Sequence, residues 1–503
     1  MWIILYAVGL ITFLVWWLSS PFYWRKRRVP HSIPFPFLGN SLSVLTNGPL
    51  ESNILNYRKF SGERYFGMHM FTRPTLVVRD PELIQRILVK DFEYFTSHGL
   101  YANQDRDPGG GNLFHIYGQQ WKEMRAKLSP FFTPAKVKVM LSYADKTISK
   151  LINVIDKKTI DNKPIEMAQI LMNVTTDVIT QAVFGIETDT FENEDSVFSK
   201  IAKEMFKPTI TLRIFVSQIS PWLYDLCKFY IFGKEGTEKV VEIVRKTIDY
   251  RRKNNVRMQD FLQGMMDLVD NNNGLQSTQK YFPDNTRVPC YDVETLISQA
   301  LVLYAAGVET SALTMTYFLY EIATNPEIQE KCRSEINNIE KESAGGDITI
   351  GDISKLVYLG AALQETLRLH SPVTLITREC TKNYKMPGSD LIIEKGTIIH
   401  MTPNGVQLDP KYYPEPEKFK PERFLNQEQI IGGSFFPFGL GPRTCIGMGL
   451  AYGEMKLVTA KLLQRYEFSP CSMTDGRSGT YDLLKTPING MWLNVRPISK
   501  KNQ

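Results

Sequence analysis

The stretch Val293–Thr324 constrains the fold most, because it is the longest helical signal in the chain and is apolar nearly all round. A helix with no polar face has to run through the interior, so the rest of the chain must supply a core on every side of it. With 503 residues, length alone suggests about three domains, but 43% hydrophobic and 12% aromatic content also suffice for one large packed interior. Inside the stretch sits Ala305-Ala-Gly-Val-Glu-Thr-Ser311. The small residues alone read as a helix-packing notch. Glu309 argues for more, since a buried carboxylate is costly unless it is paired or functional.

Residues 438–447 (Phe-Gly-Leu-Gly-Pro-Arg-Thr-Cys-Ile-Gly) form a second constraint. Gly439, Gly441 and Gly447 allow tight bends and close approach to a flat ligand, Pro442 stiffens the turn, and an apolar helix follows over 450–457. Cys445 therefore sits just before a helix, where N–H groups and the helix dipole favour thiolate, and Arg443 adds positive charge. A hydrogen-bonded thiolate is what a haem iron needs as an axial ligand for O–O cleavage. Phe438, Gly441, Arg443, Cys445 and Gly447 match the Phe-x-x-Gly-x-Arg-x-Cys-x-Gly signature, by which the chain resembles the cytochrome P-450 family of haem-thiolate enzymes.

Further motifs fall in the order of that family. Ala306, Glu309 and Thr310 resemble its oxygen-activation motif, with the helix expected to widen locally and the Thr310 hydroxyl to serve bound oxygen instead of its own backbone. Trp121 and Arg125, four apart on one helix, read in isolation as a stacking pair, and by the resemblance as a grip on the haem propionates. Arg378 and Arg443 are further propionate candidates. Glu365 and Arg368, with Arg423 of Pro421-Glu-Arg-Phe424, resemble the family's buried structural network. Phe114, Ala306, Val373, Leu375 and Leu484 are expected to line an apolar substrate pocket, with 373–378 extended past the cofactor.

The resemblance implies a mainly α fold with a small β-rich lobe, with haem b buried between the long central helix and the Cys loop. It implies a monooxygenase that inserts one oxygen of O2 into a lipophilic small molecule. Electrons would come from NADPH through a separate NADPH-cytochrome reductase, with a cytochrome b-type donor as a further partner. The branch it resembles oxidises drugs, toxins and plant compounds and includes insect detoxification enzymes. Hydroxylation of an endogenous hormone-like lipid, a haem-thiolate isomerase or lyase, and a non-catalytic haem protein stay open as alternatives. No dinucleotide-binding Gly-x-Gly-x-x-Gly follows a strand, consistent with borrowed electrons.

The chain divides into an anchor over 1–20, a basic stop-transfer and proline-rich hinge over 21–40, and a catalytic domain over 41–503. Residues 2–18 carry no charge and span a thin bilayer as a helix, and Arg25, Lys26, Arg27 and Arg28 should stay cytoplasmic. This predicts an endoplasmic reticulum membrane protein whose catalytic domain faces the cytoplasm. Four of the six net positive charges lie in that cluster, so the body is near neutral and nothing points to nucleic acid. Six widely spaced cysteines without a C-x-x-C pair argue against a disulfide framework. Residues 65–78 predict two short strands ahead of the helical bulk, ending at Asp80-Pro81, which opens a helix over 82–89. The aromatic stretch 206–232, with Trp222, Tyr224, Phe229 and Tyr230, is expected to form a lid that dips into the bilayer, and 271–278 a polar surface loop. Lys122, Lys127, Lys136 and Lys138 are candidates for a basic face toward an acidic reductase.

Overall fold

The computed structural model describes Gly9 and residues 22–498, except 36–37, 189, 192–195, 206–208, 273–280, 285, 289–290, 343–345, 427–429 and 478–483. The elements that position the site are, in chain order, α1 (Phe22–Lys26), β1 (Tyr65–Met70), β2 (Arg73–Val78), α2 (Gly118–Leu128), α3 (Pro134–Thr159), α4 (Met167–Phe184), α5 (Val293–Thr324), α6 (Val357–Leu369), β3 (Ile376–Glu379), β4 (Ile398–Met401) and α7 (Met448–Arg465).

Helix α5 holds the bounds that its sequence predicts. Asp292 caps it by accepting from the Thr295 N–H at 2.8 Å. Its two halves serve different cores. Leu296, Ile297, Ala300, Leu301, Tyr304, Ala305 and Val308 pack with α2 and α4 residues such as Trp121, Met124 and Ile179. Ala312, Met315, Tyr317, Phe318, Leu319 and Ile322 pack with Leu359 and Leu363 of α6 and Leu457 and Val458 of α7. Between the two clusters Ala306 is exposed, and Gly307, Glu309 and Thr310 are half-buried. The helix backbone runs unbroken through this seam, so the local widening expected there is not seen. Among the described residues α5 is the one helix long and apolar enough to cross a membrane, and 67% of its apolar window lies buried.

The β-rich lobe is a four-stranded sheet in the order β1-β2-β4-β3. The β1–β2 hairpin is antiparallel, β2 runs parallel to β4 (Thr75 opposite Ile398), and β3 returns antiparallel with Ile376 opposite Met401. The helix predicted over 82–89 is an α-helix over Pro81–Gln85 that becomes a π-helical turn over Arg86–Lys90. The segment read as stop-transfer and hinge is docked on this lobe where it is described. Trp24 of α1 is 1% exposed, and its Nε1 donates to the Met68 carbonyl at 2.8 Å. Gly67 is required beneath it, since a Cβ there would meet the indole at 2.4 Å. Residues 2–18, read as the anchor, and most of the loop 271–278 lie outside the described residues, as does 206–208 of the lid stretch. In the rest of that stretch Trp222 is 71% exposed beside Leu223 and Leu226, whereas Tyr224 is buried against Tyr101 and Phe229. Tyr224 is core, because its ring turns to the inner face of its short helix.

Candidate functional site

The loop 438–447 closes on itself through the Cys445 N–H, which donates to the Phe438 carbonyl at 2.9 Å. Phe438 anchors it on α7 by packing against Tyr452, ring centroids 5.0 Å apart. Gly439 and Gly441 have φ of 72° and 69°, in the left-handed region. At Gly441 a Cβ would also lie 2.0 Å from the Leu88 carbonyl, so the loop sits directly on the π-helical turn. Gly447 differs: its φ is −87°, and a Cβ there would reach the Cys445 Sγ at 3.9 Å. It is not the left-handed bend its sequence context predicts, and a Cβ there would only make ordinary contact with the sulfur.

Cys445 retains exposed surface although protein crowds it on its other sides, and Ile446 and Leu450 share one apolar cluster with Ala305 and Val308 of α5. The neighbours of Cys445 in sequence thus pack toward α5. Burial raises the thiol pKa above its ordinary value, while the Gly447 and Met448 N–H groups and Arg125 pull it down without winning. The expected depressed pKa is thus overturned. Desolvation outweighs the helix terminus, and a thiolate here needs a cationic ligand to complete its stabilisation.

Arg443 is also placed differently from its sequence reading. It acts on backbone, not on the sulfur: its guanidinium donates to the carbonyls of Leu113 (3.4 Å), Phe114 (3.3 Å) and Ile116 (2.5 Å). It lies 4.6 Å over the Trp121 ring, so the stacking partner of Trp121 is Arg443, not Arg125. Arg125, half-buried on α2, supplies the positive charge near Cys445. Arg378, 1% exposed on β3, donates to the Thr377 carbonyl at 2.8 Å and lies 2.9 Å from His98 Nδ1. Burial alone brings its pKa down to about 9, and burial with repulsion from Arg378 and Arg125 brings Arg443 down as well. Among the described residues none of these three guanidinium groups pairs with a carboxylate, and the Nε atoms of Arg378 and Arg443 are buried without a partner.

On the opposite wall, the Thr310 hydroxyl donates to the Ala306 carbonyl at 2.7 Å, so it satisfies its own helix, contrary to the expectation that it is freed from it. Glu309 beside it is half-buried. Residues 373–378 are extended as predicted: Val373 and Leu375 are half-exposed, while Thr374 and Ile376 between them are buried. This alternation of period 2 turns Val373 and Leu375 to one face. Leu484 bridges to Val373, and Phe114 is 45% exposed, stacked on His98 at 4.3 Å.

The sequence matches the Cytochrome P-450 family profile over residues 29–493. It is 32% identical to cytochrome P-450 6k1 of Blattella germanica, over 90% of this chain and 88% of that protein. It is 31% identical to probable cytochrome P-450 6a14 of Drosophila melanogaster, over 95% of each. It is also 31% identical to cytochrome P-450 6A1 of Musca domestica, over 99% of this chain and 98% of that protein. The chain belongs to the cytochrome P-450 family. It is a monooxygenase, an oxidoreductase that binds haem b and uses O2 with electrons derived from NADPH.

The residues of this cytochrome P-450 fit that cofactor. Uncompensated buried guanidinium groups call for an anionic partner, and two propionates are one. The exposed sulfur suits iron, and the exposed Ala306 in an otherwise packed helix leaves room for a flat group. Behind the site, Glu365 and Arg368 are both fully buried, joined by Nε–Oε2 at 2.7 Å and Nη2–Oε1 at 2.8 Å, and Arg423 Nε adds a bond to Oε1 at 3.2 Å. The Lys420 N–H (2.9 Å) completes the ring of donors, and Arg368 passes on to the Gln407 carbonyl at 2.8 Å. The network ties α6 to the Pro421–Phe424 turn, as the family resemblance implies.

Sequence reasoning missed two histidines of the cationic corner. His98 sits against Arg378, and burial followed by that charge holds its pKa well below the ordinary histidine value. His115, beside Asn112 at 3.1 Å, is brought down to about 3 by burial and Arg443. Both stay neutral and cannot replace an anion. His115 stands two residues past Leu113 in a loop that any polar reading would place at the surface, so no local signal marked it.

Proposed function

We propose that this cytochrome P-450 oxidises lipophilic small molecules, foreign compounds and toxins foremost, and that it receives electrons from a separate NADPH-cytochrome reductase. The observation that carries the reading is the set of three mutually repelling guanidinium groups without carboxylate partners among the described residues, one of them, Arg125, acting on the exposed Cys445. Cys445 would hold the iron through its sulfur, Trp121, Arg125, Arg378 and Arg443 would hold the propionate edge, and Phe438 and Ala306 would border the ring. Bound haem supplies the activation of O2 and the transfer of one oxygen atom to carbon.

The chain's own residues bind, exclude water and move protons. Thr310 needs only to rotate its hydroxyl away from the Ala306 carbonyl to present a proton at Oγ1 toward the seam. Glu309, next to it, replenishes that proton. Phe114, Ala306, Val373, Leu375 and Leu484 offer mainly apolar surface, which favours apolar substrates and fixes their approach by shape. The preference for foreign compounds rests on the resemblance to the insect detoxification branch. Membrane placement through residues 2–18, at the endoplasmic reticulum with the body in the cytoplasm, is part of the same reading. Trp222, Leu223 and Leu226, exposed together, support contact with the bilayer.

Lys122, Lys127, Lys136 and Lys138 are all exposed on and after α2, and they form the basic face for the reductase. Charge reversal at Lys127 and Lys136 should lower reductase-supported turnover and flatten its salt dependence. The central test is spectroscopic. The reduced, carbon monoxide-treated protein should give the red-shifted Soret band of thiolate ligation, and Cys445→Ala should lose it together with activity. A normal band in Cys445→Ala overturns the assignment. Displacement of the water ligand across a lipophilic compound library, followed by product analysis, then defines the substrate class.

A further inference from the structure

A second buried polar system lies away from the haem site, between the C-terminal half of α5, the end of α6 and the segment 484–488. Lys485 donates from Nζ to the Leu369 carbonyl at 2.9 Å and lies 3.0 Å from His370 Nδ1. On the far side of the ring, His370 Nε2 is 2.5 Å from Glu321 Oε1. An ammonium has no acceptor capacity, so Nδ1 must accept from Lys485, and Nε2–H is left to donate to Glu321. One tautomer thus satisfies both contacts. The ring is held flat by Tyr317, stacked at 4.3 Å and 7°. Each of the three members belongs to a different part of the chain, and the contacts span 49 and 115 positions.

The geometry sets what this relay can do. Lys485 follows Leu484, which bridges to Val373, and the Lys485 N–H also donates to the Pro372 carbonyl at 3.1 Å. Leu484 itself makes no ladder beyond that isolated bridge, and nothing else in its short described segment belongs to a strand until Trp492. Among the described residues, the inward pull on Lys485 acts with the bridge and the Pro372 bond to hold Leu484 against Val373. Burial lifts the Glu321 carboxyl to about 7 and brings the Lys485 amine down to about 8, so enclosing these groups carries a desolvation cost.

We propose that Lys485, through His370 and Glu321, is a positioning residue for substrate specificity: it clamps the Leu484–Val373 wall of the pocket to the core helix. The proposal rests on Leu484 and Val373 facing substrate. Lys485 touches neither haem nor substrate.

The test uses the haem-loaded full chain and two iron ligands of different size, imidazole and 4-phenylimidazole, titrated by the Soret shift. Lys485→Met should leave imidazole affinity within about twofold and change 4-phenylimidazole affinity on the order of tenfold, because only the larger ligand reaches the wall. Lys485→Arg, which keeps a donor for both acceptors, should lie closer to wild type. Hydrogen exchange of the 484–490 backbone should speed up in Lys485→Met and not in Lys485→Arg. Leu484→Ala reports on the pocket reading alone and should shift the larger ligand by itself. If Leu484→Ala shifts 4-phenylimidazole while Lys485→Met leaves both the affinity ratio and exchange unchanged, the clamp is refuted and the pocket reading stands. If Leu484→Ala has no effect, the pocket reading fails, and faster exchange in Lys485→Met would then show a clamp without a role in specificity. Should Lys485→Met not load haem, His370→Gln, which offers the same two functions on an amide, carries the same ligand and exchange comparison, with unchanged values again refuting the clamp.

Discussion

Glu454 on α7 offers a sharp test of the electrostatic reasoning. It is fully buried, and neither carboxyl oxygen meets a hydrogen-bond donor. Burial lifts its pKa from 4.5 to about 8, with only the Ser311 hydroxyl of α5, outside hydrogen-bond geometry, pulling the other way. The folded state therefore binds this proton more tightly than the unfolded chain does. The associated stability is fully present below about pH 4.5 and is lost as pH rises through about 8. At about 1.4 kcal/mol per pH unit, most of the interval from pH 5 to pH 7 counts, giving a loss of roughly 2–3 kcal/mol. Glu454→Gln has the same shape and no titration, so it should not suffer that loss. An unfolding entropy of about 2.1 cal/mol/K per residue, over 503 residues, comes to roughly 1 kcal/mol/K, so wild type should drop about 2–3 °C in Tm relative to Glu454→Gln between pH 5 and pH 7. Circular dichroism melts of both proteins in matched buffers measure this, and every other titrating group cancels in the difference. Parallel Tm curves for the two proteins would refute the claim that Glu454 is buried as the acid.

Four further outcomes follow from the same geometry. Glu365→Ala leaves two guanidinium groups and the Lys420 N–H without their acceptor, and should destabilise by about 3–5 kcal/mol, read as loss of the haem-loaded fraction on expression. Gly441→Ala should abolish folding of the Cys loop, whereas Gly447→Ala should fold and alter the Soret band, since its Cβ meets only the sulfur. Arg378→Met should raise the Tm of the haem-free chain by removing an uncompensated buried charge, yet speed haem transfer to an acceptor globin by about tenfold or more. Thr310→Val should keep consuming NADPH while product per NADPH falls about tenfold, and an unchanged ratio would remove its hydroxyl from proton delivery.

What was readable from the sequence, and what was not, divides by range. Glu365 and Arg368 are one helical turn apart, the Cys loop is ten consecutive residues, and α5 announces itself by composition, so local spacing was enough for each. Some corrections are local, such as the Thr310 hydroxyl bonded to Ala306 one turn away, but those at the cationic corner concern competition between distant partners. Arg443 was assigned to the sulfur two residues away, but its guanidinium is captured by carbonyls of 113–116, more than 300 positions off in sequence. The helix terminus at Cys445 acts as expected, yet the depth of burial that outweighs it depends on α5 and is invisible in the loop itself. The cost of a buried carboxylate, expected from sequence at Glu309, falls more heavily on Glu454, since Glu309 is half-buried and Glu454 fully so. A signal for Glu454 did exist. It stands four residues after Leu450 and four before Val458, both buried, so it occupies the apolar stripe of α7, and a carboxylate in such a stripe calls for the same question that was asked only of α5.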